Sequence, residues 1–174
     1  MAKSNLIIVA VSLLLAGLGL LLDLATKKWA VSALSDGRTV PVWGELIQFQ
    51  LTYNPGAAFS AGSEFTTAIS AFAMFAALVV IVVIFRVRNW WWGVVLGLLL
   101  AGILGNLRDR LFEPPAPMRG HVIDFIMLPH WPVFNVADIL INLAGVAAFI
   151  LIIKGVSLRG GKAPASESAN GRTG

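Results

Sequence analysis

The sequence predicts an all-α membrane protein. Four transmembrane helices leave both termini cytoplasmic, and a small extracytoplasmic antiparallel β-sheet sits in the first outer loop. Three observations lead there. The 174-residue chain is 57% hydrophobic and only 13% charged, whereas soluble domains are near a quarter charged. Four apolar runs, at about 6–22, 65–85, 90–107 and 136–153, each approach the ~20 residues that cross ~30 Å of hydrocarbon as a helix. The charges between the runs divide unequally between two sides of a membrane.

The first run, Leu6–Leu22, is built of Leu, Ile, Val, Ala, Gly and one Ser. Lys3 before it and Val31–Ala33 after it resemble a cleavable signal. The run is longer than a usual signal core, however, and Asp23, Lys27 and Lys28 intervene, so a retained span is expected. Residues 24–64 then form a long outer loop. In "TVPVWGELIQFQLTYN", Val40, Val42, Leu46, Phe49, Leu51 and Tyr53 partly alternate with polar residues, and Pro41 and Gly44 punctuate the stretch. This predicts short strands lying on the membrane surface. In the third run Gly93, Gly97 and Ala101 recur every four residues, a small-residue face suited to close helix packing. Trp90, Trp91 and Trp92 suit an interfacial belt. Residues 108–135 form a second outer loop, rich in Pro, Gly, His and Trp. Residues 1–158 are expected to be a single membrane-embedded domain, and 159–174 a tail with the composition of disorder.

Four spans put both termini on one side. That side collects Lys3, Arg86, Arg88, Lys154, Arg159, Lys162 and Arg172 against the single acid Glu167, while the other side holds the remaining eight acids. The positive-inside rule makes the first side cytoplasmic. The net charge of +4 follows from this bias, and no nucleic-acid partner is expected.

Several chemistries are absent. With zero cysteines there are no disulfides, thiolate metal sites or cysteine nucleophiles. There is no HExxH, no GxSxG and no P-loop. His121 and His130 fall in a Pro- and Trp-containing loop as ordinary surface or structural histidines. Neither metal nor cofactor is expected.

What remains is a set of carboxylates and amides near one depth. At 100° per residue, Asn135, Asp138, Asn142 and Gly145 fall within about 80° of each other on the fourth helix. Asn106, Asp109 and Arg110 share a face at the outer end of the third. Asp23 and Lys27 are i, i+4 neighbours at the outer end of the first, and Asp124 lies in the apolar "HVIDFI". Each has a plain structural role open to it. Asn135 is a good N-cap, Asp138 suits a helix N-terminus, and Asn142 could join two helices. Asp23–Lys27 and Asp109–Arg110 could mark helix ends. The conjunction favours function, since intramembrane ionisable groups cluster at working sites. Two aspartates sharing a site keep one proton between them, so that one acts as acid and the other as base. An aspartyl hydrolase at the outer membrane surface fits. A small proton-coupled carrier would use the same ingredients, and a non-catalytic assembly factor is a third reading.

Five blocks in order resemble the bacterial lipoprotein signal peptidases (signal peptidase II). They are "DLATKKW" (Asp23–Trp29), "NPGAAFS" (Asn54–Ser60), "GNLRDRL" (Gly105–Leu111), "HVIDFI" (His121–Ile126) and "FNVADILIN" (Phe134–Asn142). The resemblance runs from the first span to about Lys154. It implies an aspartic endopeptidase of the bacterial inner membrane that cleaves diacylglyceryl-modified prolipoproteins before the lipidated cysteine. It makes Asp124 and Asp138 the catalytic pair and leaves open which is the base. Asn54, Gly56, Asn106, Arg110 and Asn135 would line the site, with Asp23 and Lys27 as a first-helix pair. The implied partners are the prolipoprotein substrate and membrane lipid, and a monomer is expected.

Overall fold

The computed structural model describes residues 3–56 and 65–160. Ala57–Ser60 of the second block and residues 161–174 of the expected tail lie outside the described residues. Four helices are present: α1 (Lys3–Leu34), α2 (Thr66–Ile84), α3 (Trp90–Phe112) and α4 (Val136–Ile153). Each is long and apolar enough to cross a membrane, so the chain is a multi-pass membrane protein. Large apolar side chains such as Leu21, Phe72, Phe75 and Phe149 stay more than half exposed. A surface so rich in exposed apolar residues suits lipid rather than water.

Two helices run on past the apolar spans read from the sequence. The apolar run of the first ends at Leu22, with Asp23 and Lys27 expected at the outer end of its helix, and α1 continues beyond them to Leu34. Its 32 residues reach about 48 Å at 1.5 Å per residue, well beyond a hydrocarbon core. Asp23 and Lys27 interrupt the apolar run but not the helix, because both are buried and paired with each other. Likewise α3 continues past 107 to Phe112. The second and fourth spans fall within a residue of their predicted limits.

An apolar core joins Ile8, Val9 and Ala16 of α1 to Ala77, Val80 and Ile84 of α2 and to Leu96 and Leu100 of α3. The small-residue face of α3 lies against α1. A Cβ on Gly97 would sit 2.6 Å from the Ser12 carbonyl oxygen, so only glycine permits this approach. Further along, a Cβ on Gly102 would lie 2.5 Å from the Ala137 carbonyl oxygen, which brings the start of α4 equally close to α3.

The strands are β1 (Val40–Trp43), β2 (Ile47–Asn54) and β3 (Val122–Met127). They form one antiparallel sheet in the order β1-β2-β3. The first outer loop thus supplies two strands, as expected, and the second supplies a third that was not. The sequence of β3 does not alternate, because Val122 to Phe125 are all buried, and a doubly covered strand shows no period of two. The sheet rests on the protruding end of α1. Phe125 packs with Ala30 and Leu34, while Trp29 meets Phe49 edge-on with ring centroids 5.2 Å apart.

Candidate active site

The site forms where α1 leaves the bundle and α4 begins. Asn135 caps α4 in extended backbone and takes part in a reciprocal capping box with Asp138. The Asp138 N–H donates to Asn135 Oδ1 at 3.0 Å, and the Asn135 N–H donates to Asp138 Oδ2 at 3.1 Å. The Ala137 N–H donates to Asp23 Oδ1 of α1 at 2.8 Å. In the first turn of α4 the Ala137 and Asp138 N–H groups are therefore satisfied by side chains, and its position is tied to α1. A Cβ on Gly105 would fall 2.5 Å from Asp23 Oδ2, so the carboxylate reaches α4 across a glycine of α3.

Asn135 also joins the two aspartates. Its Nδ2 donates to Asp124 Oδ1 at 2.6 Å, while its own N–H and Oδ1 engage Asp138. Sheet register supplies the second contact of Asp124. Thr52 pairs with Asp124 and Asn54 with Val122, which sets Asn54 and Asp124 diagonally on one face. Asn54 Nδ2 donates to Asp124 Oδ2 at 3.1 Å. Asn106 of α3 completes the set, since its Nδ2 donates to Asp138 Oδ1 at 2.8 Å.

Behind Asn106 lies a fully buried ionic cluster. Lys27 Nζ is 2.8 Å from both Asp23 Oδ2 and Asp109 Oδ2 and donates to Asn106 Oδ1 at 3.1 Å. Asp109 Oδ2 also accepts the Ile123 N–H at 3.2 Å, which ties the cluster to β3 next to Asp124. Arg110 serves the other flank. Its guanidinium donates to the carbonyls of Pro55, Gly56 and Gly120 and so holds the turn after Asn54. The Gly56 N–H donates to Asn54 Oδ1 at 3.0 Å, which leaves the Asn54 amide nitrogen facing Asp124.

Both aspartates open onto a cleft of about 870 Å³. Its walls are mostly apolar, with Phe72 of α2, Ile103 of α3 and Val146 of α4 among them, and Asn54, Asn106, Arg110, Asp124 and Asp138 gather in it. Asp124 is buried at 2% exposure. Burial, reinforced by the charge of Asp138 and partly opposed by the Asn54 and Asn135 hydrogen bonds, pushes its pKa up from 3.8 to about 7. A carboxyl so placed can hold a proton near neutrality, which suits it to acid–base hydrolysis.

The family model described as signal peptidase (SPase) II, Peptidase_A8, matches residues 15–154. The chain belongs to the signal peptidase II family. It is 40% identical over 142 residues to a lipoprotein signal peptidase of Rhodococcus jostii (strain RHA1), covering 82% of this chain and 72% of that one. It is 38% identical over 141 residues to that of Mycobacterium leprae (strain Br4923), covering 81% and 70%. A bacterial membrane enzyme solved by the in meso method at 1.9 Å shares the fold with a TM-score of 0.73, at 24% identity over 83% of this chain and 94% of that one. Membership makes this chain an aspartic peptidase.

Within this signal peptidase fold, all nine sequence-predicted residues converge. Asp124, Asp138, Asn54, Gly56, Asn106 and Arg110 line the cleft. Asn135 bridges the aspartates from behind, and Asp23 and Lys27 support α4 and Asn106. The structural roles weighed from sequence hold as well, since Asn135 is both N-cap and bridge. Asn142 is exposed in the cleft and donates to the Asp138 carbonyl at 2.8 Å. Asp109 is the residue that sequence reasoning left unassigned. Its pairing with Arg110, considered from their adjacency, does not form. Asp109 instead pairs with Lys27 and Arg108, and its burial at 0% exposure has no local signature in "LRDRL".

Proposed function

We propose that Asp124 and Asp138 are the catalytic pair with which this signal peptidase removes signal peptides from diacylglyceryl-modified prolipoproteins. The observation that carries the assignment is Asn135, which bonds both carboxylates while both open into one apolar cleft. In this reading the ionised aspartate takes a proton from water as its oxygen attacks the scissile carbonyl. The protonated aspartate gives its proton to the carbonyl oxygen. Collapse of the gem-diol then breaks the C–N bond, and a proton passes to the departing amine of the lipidated cysteine. Because the second aspartate supplies the proton, the water is activated without a developing bare charge.

The surroundings support the lipid part of the proposal. The apolar walls between α2 and α4 suit the acyl chains and the hydrophobic signal sequence, whose transfer from lipid costs little. The side-chain amides and Arg110 offer donors to an unwound peptide backbone, which lipid cannot hydrogen-bond. The excess of basic residues on the terminal side supports an inner-membrane orientation with the cleft near the extracytoplasmic face.

The test is cleavage of a purified diacylglyceryl prolipoprotein by Asp124→Asn and Asp138→Asn variants that retain a normal thermal transition in detergent. Each is expected to lose at least about a thousandfold in rate, within the range of lost acid–base catalysis. Cleavage by either variant at near wild-type rate overturns the assignment.

A further inference from the structure

One polar side chain in the cleft bonds neither carboxylate. Along α4, Asp138, Asn142 and Val146 line the cleft at successive turns. Asn142 stands about 6 Å from Asp138 along the helix axis, on the side away from the sheet. Phe72, Ala73 and Ala76 of α2 and Leu99 and Ile103 of α3 form the facing walls. Among the described residues, Asn142 is the one polar side chain that lines this deeper part of the cleft.

An amide in apolar surroundings is costly unless its groups are hydrogen-bonded. Asn142 Nδ2 donates to the Asp138 carbonyl at 2.8 Å. That bond stays within its own helix, so it does not join α4 to a neighbour. It does fix how the amide is turned, since only the nitrogen can donate to a carbonyl oxygen. It uses one hydrogen. The second N–H and Oδ1 make no further bond among the described residues. The exposed side chain thus carries one donor and one acceptor into the cleft.

An extended peptide residue is the complement, because its own N–H and C=O point to the same side. A fatty-acid ester offers acceptors only, and would leave Oδ1 unpaired among apolar walls. Spacing agrees with a peptide. An extended chain rises about 3.3 Å per residue, so the distance from Asp138 to Asn142 spans about two residues. With the scissile carbonyl at the aspartates and the signal sequence continuing down the apolar cleft, the residue beside Asn142 is the third before the lipidated cysteine.

Resting on the peptidase reading above, we propose that Asn142 is a substrate-binding residue that holds this part of the signal peptide extended. Its Oδ1 accepts the N–H of that residue, and its Nδ2 donates to the C=O of the same residue. A signal helix that unwinds for cleavage frees backbone groups that lipid cannot satisfy, and Asn142 satisfies two of them. The contact is to main chain, so it asks for an extended backbone rather than a particular side chain.

The experiment measures kcat/KM of the full-length enzyme in detergent on two synthetic diacylglyceryl peptides. They are identical except that an ester oxygen replaces the N–H of the third residue before the lipidated cysteine. The native enzyme is expected to cleave the substituted peptide about tenfold more slowly, as loss of one hydrogen bond in an apolar site implies. Asn142→Leu, of similar size, is expected to cleave the all-amide peptide about tenfold more slowly than the native enzyme and to treat the two peptides alike. Asn142→Ala gives the same levelled ratio, which separates the effect from crowding by leucine. A ratio that survives in both variants overturns the proposal, as does a native enzyme that treats the two peptides alike. A third peptide carries ether-linked alkyl chains in place of the acyl esters. Native and variant enzymes are expected to respond to it by the same factor, and an ester preference that vanishes in Asn142→Leu would assign the amide to the lipid instead. The peptidase reading fails separately, if the native enzyme cleaves none of the three.

Discussion

The two ends of this helix bundle are joined by different physics. Where α3 begins, α1 approaches it through missing side chains. Gly93 and Gly97 admit Ile8 and Ser12, and one hydroxyl, Ser12, bonds the Ile8 and Gly93 carbonyls at 2.8 Å each. Where α3 ends, the same two helices meet through buried charge, with Asp23, Lys27 and Asp109 all at 2% exposure or less. Packing is cheap in lipid and needs only matching shapes. A buried ionic cluster is costly to desolvate, and well-packed apolar residues often serve stability equally well. Among the described residues an ionic cluster is found at this end alone, beneath the amides that hold two aspartates, which points to positioning of the site.

That contrast breaks most sharply at Asp109. Replacement by Ala leaves Lys27 with one carboxylate instead of two and leaves the Ile123 N–H without its acceptor beside Asp124. Disrupting a buried ionic group of this kind costs about 3–5 kcal/mol, and here it also loosens Asn106 and β3. The expected outcome for Asp109→Ala is a large loss in thermal stability in detergent together with a reduced cleavage rate per folded molecule. A stability loss below about 1 kcal/mol would mean that the cluster is incidental to both fold and site.

A smaller effect follows from Asp124. Its pKa in the fold is about 7 against an ordinary 3.8. Between those values the folded chain keeps a proton that the unfolded chain has released, so stability falls as pH rises through this window and is flat below it. The loss across the window is on the order of a few kcal/mol. Denaturation midpoints at acidic and mildly alkaline pH should diverge in the native chain and converge in Asp124→Asn, which has no proton to lose. Equal pH slopes in the two proteins would show that burial does not hold the proton on Asp124.

Much of this could be read from the residues because apolar runs and polar interruptions have physical causes visible in one dimension. The spans of α2 and α4 follow from hydropathy alone, and the strand-like alternation of 40–53 foretells β1 and β2. The stretch of α1 beyond Lys27 was not foreseen, because charge ends a hydropathy run without ending a helix, provided the charge is paired. The partner that makes this possible, Asp109, stands 82 residues beyond Lys27. The third strand was missed for the opposite reason, since Val122 to Phe125 are covered on both faces and carry no alternating signal. Site residues on one helix stripe, such as Asn135 and Asp138, could be grouped by spacing. That Asn106 stands between Lys27 and Asp138 depends on three helices meeting and is visible only in the fold.

The packing end offers the mildest test of the contrast. Gly97→Ala adds one methyl group where a Cβ would lie 2.6 Å from the Ser12 carbonyl oxygen and 3.1 Å from Leu15 Cβ. The neighbours are main chain and a side-chain root, so relief requires α1 and α3 to separate. Overpacking of this kind costs about 1–3 kcal/mol, against roughly 1 kcal/mol gained from the better helix propensity of alanine. The net loss is therefore small, and separation at this level leaves the ionic cluster near the far end of α3 intact. Gly97→Ala is expected to lower the denaturation midpoint modestly while cleavage per folded molecule stays at the native rate. Cleavage lost in proportion to Asp109→Ala would instead mean that the helix spacing at one end sets the site geometry at the other.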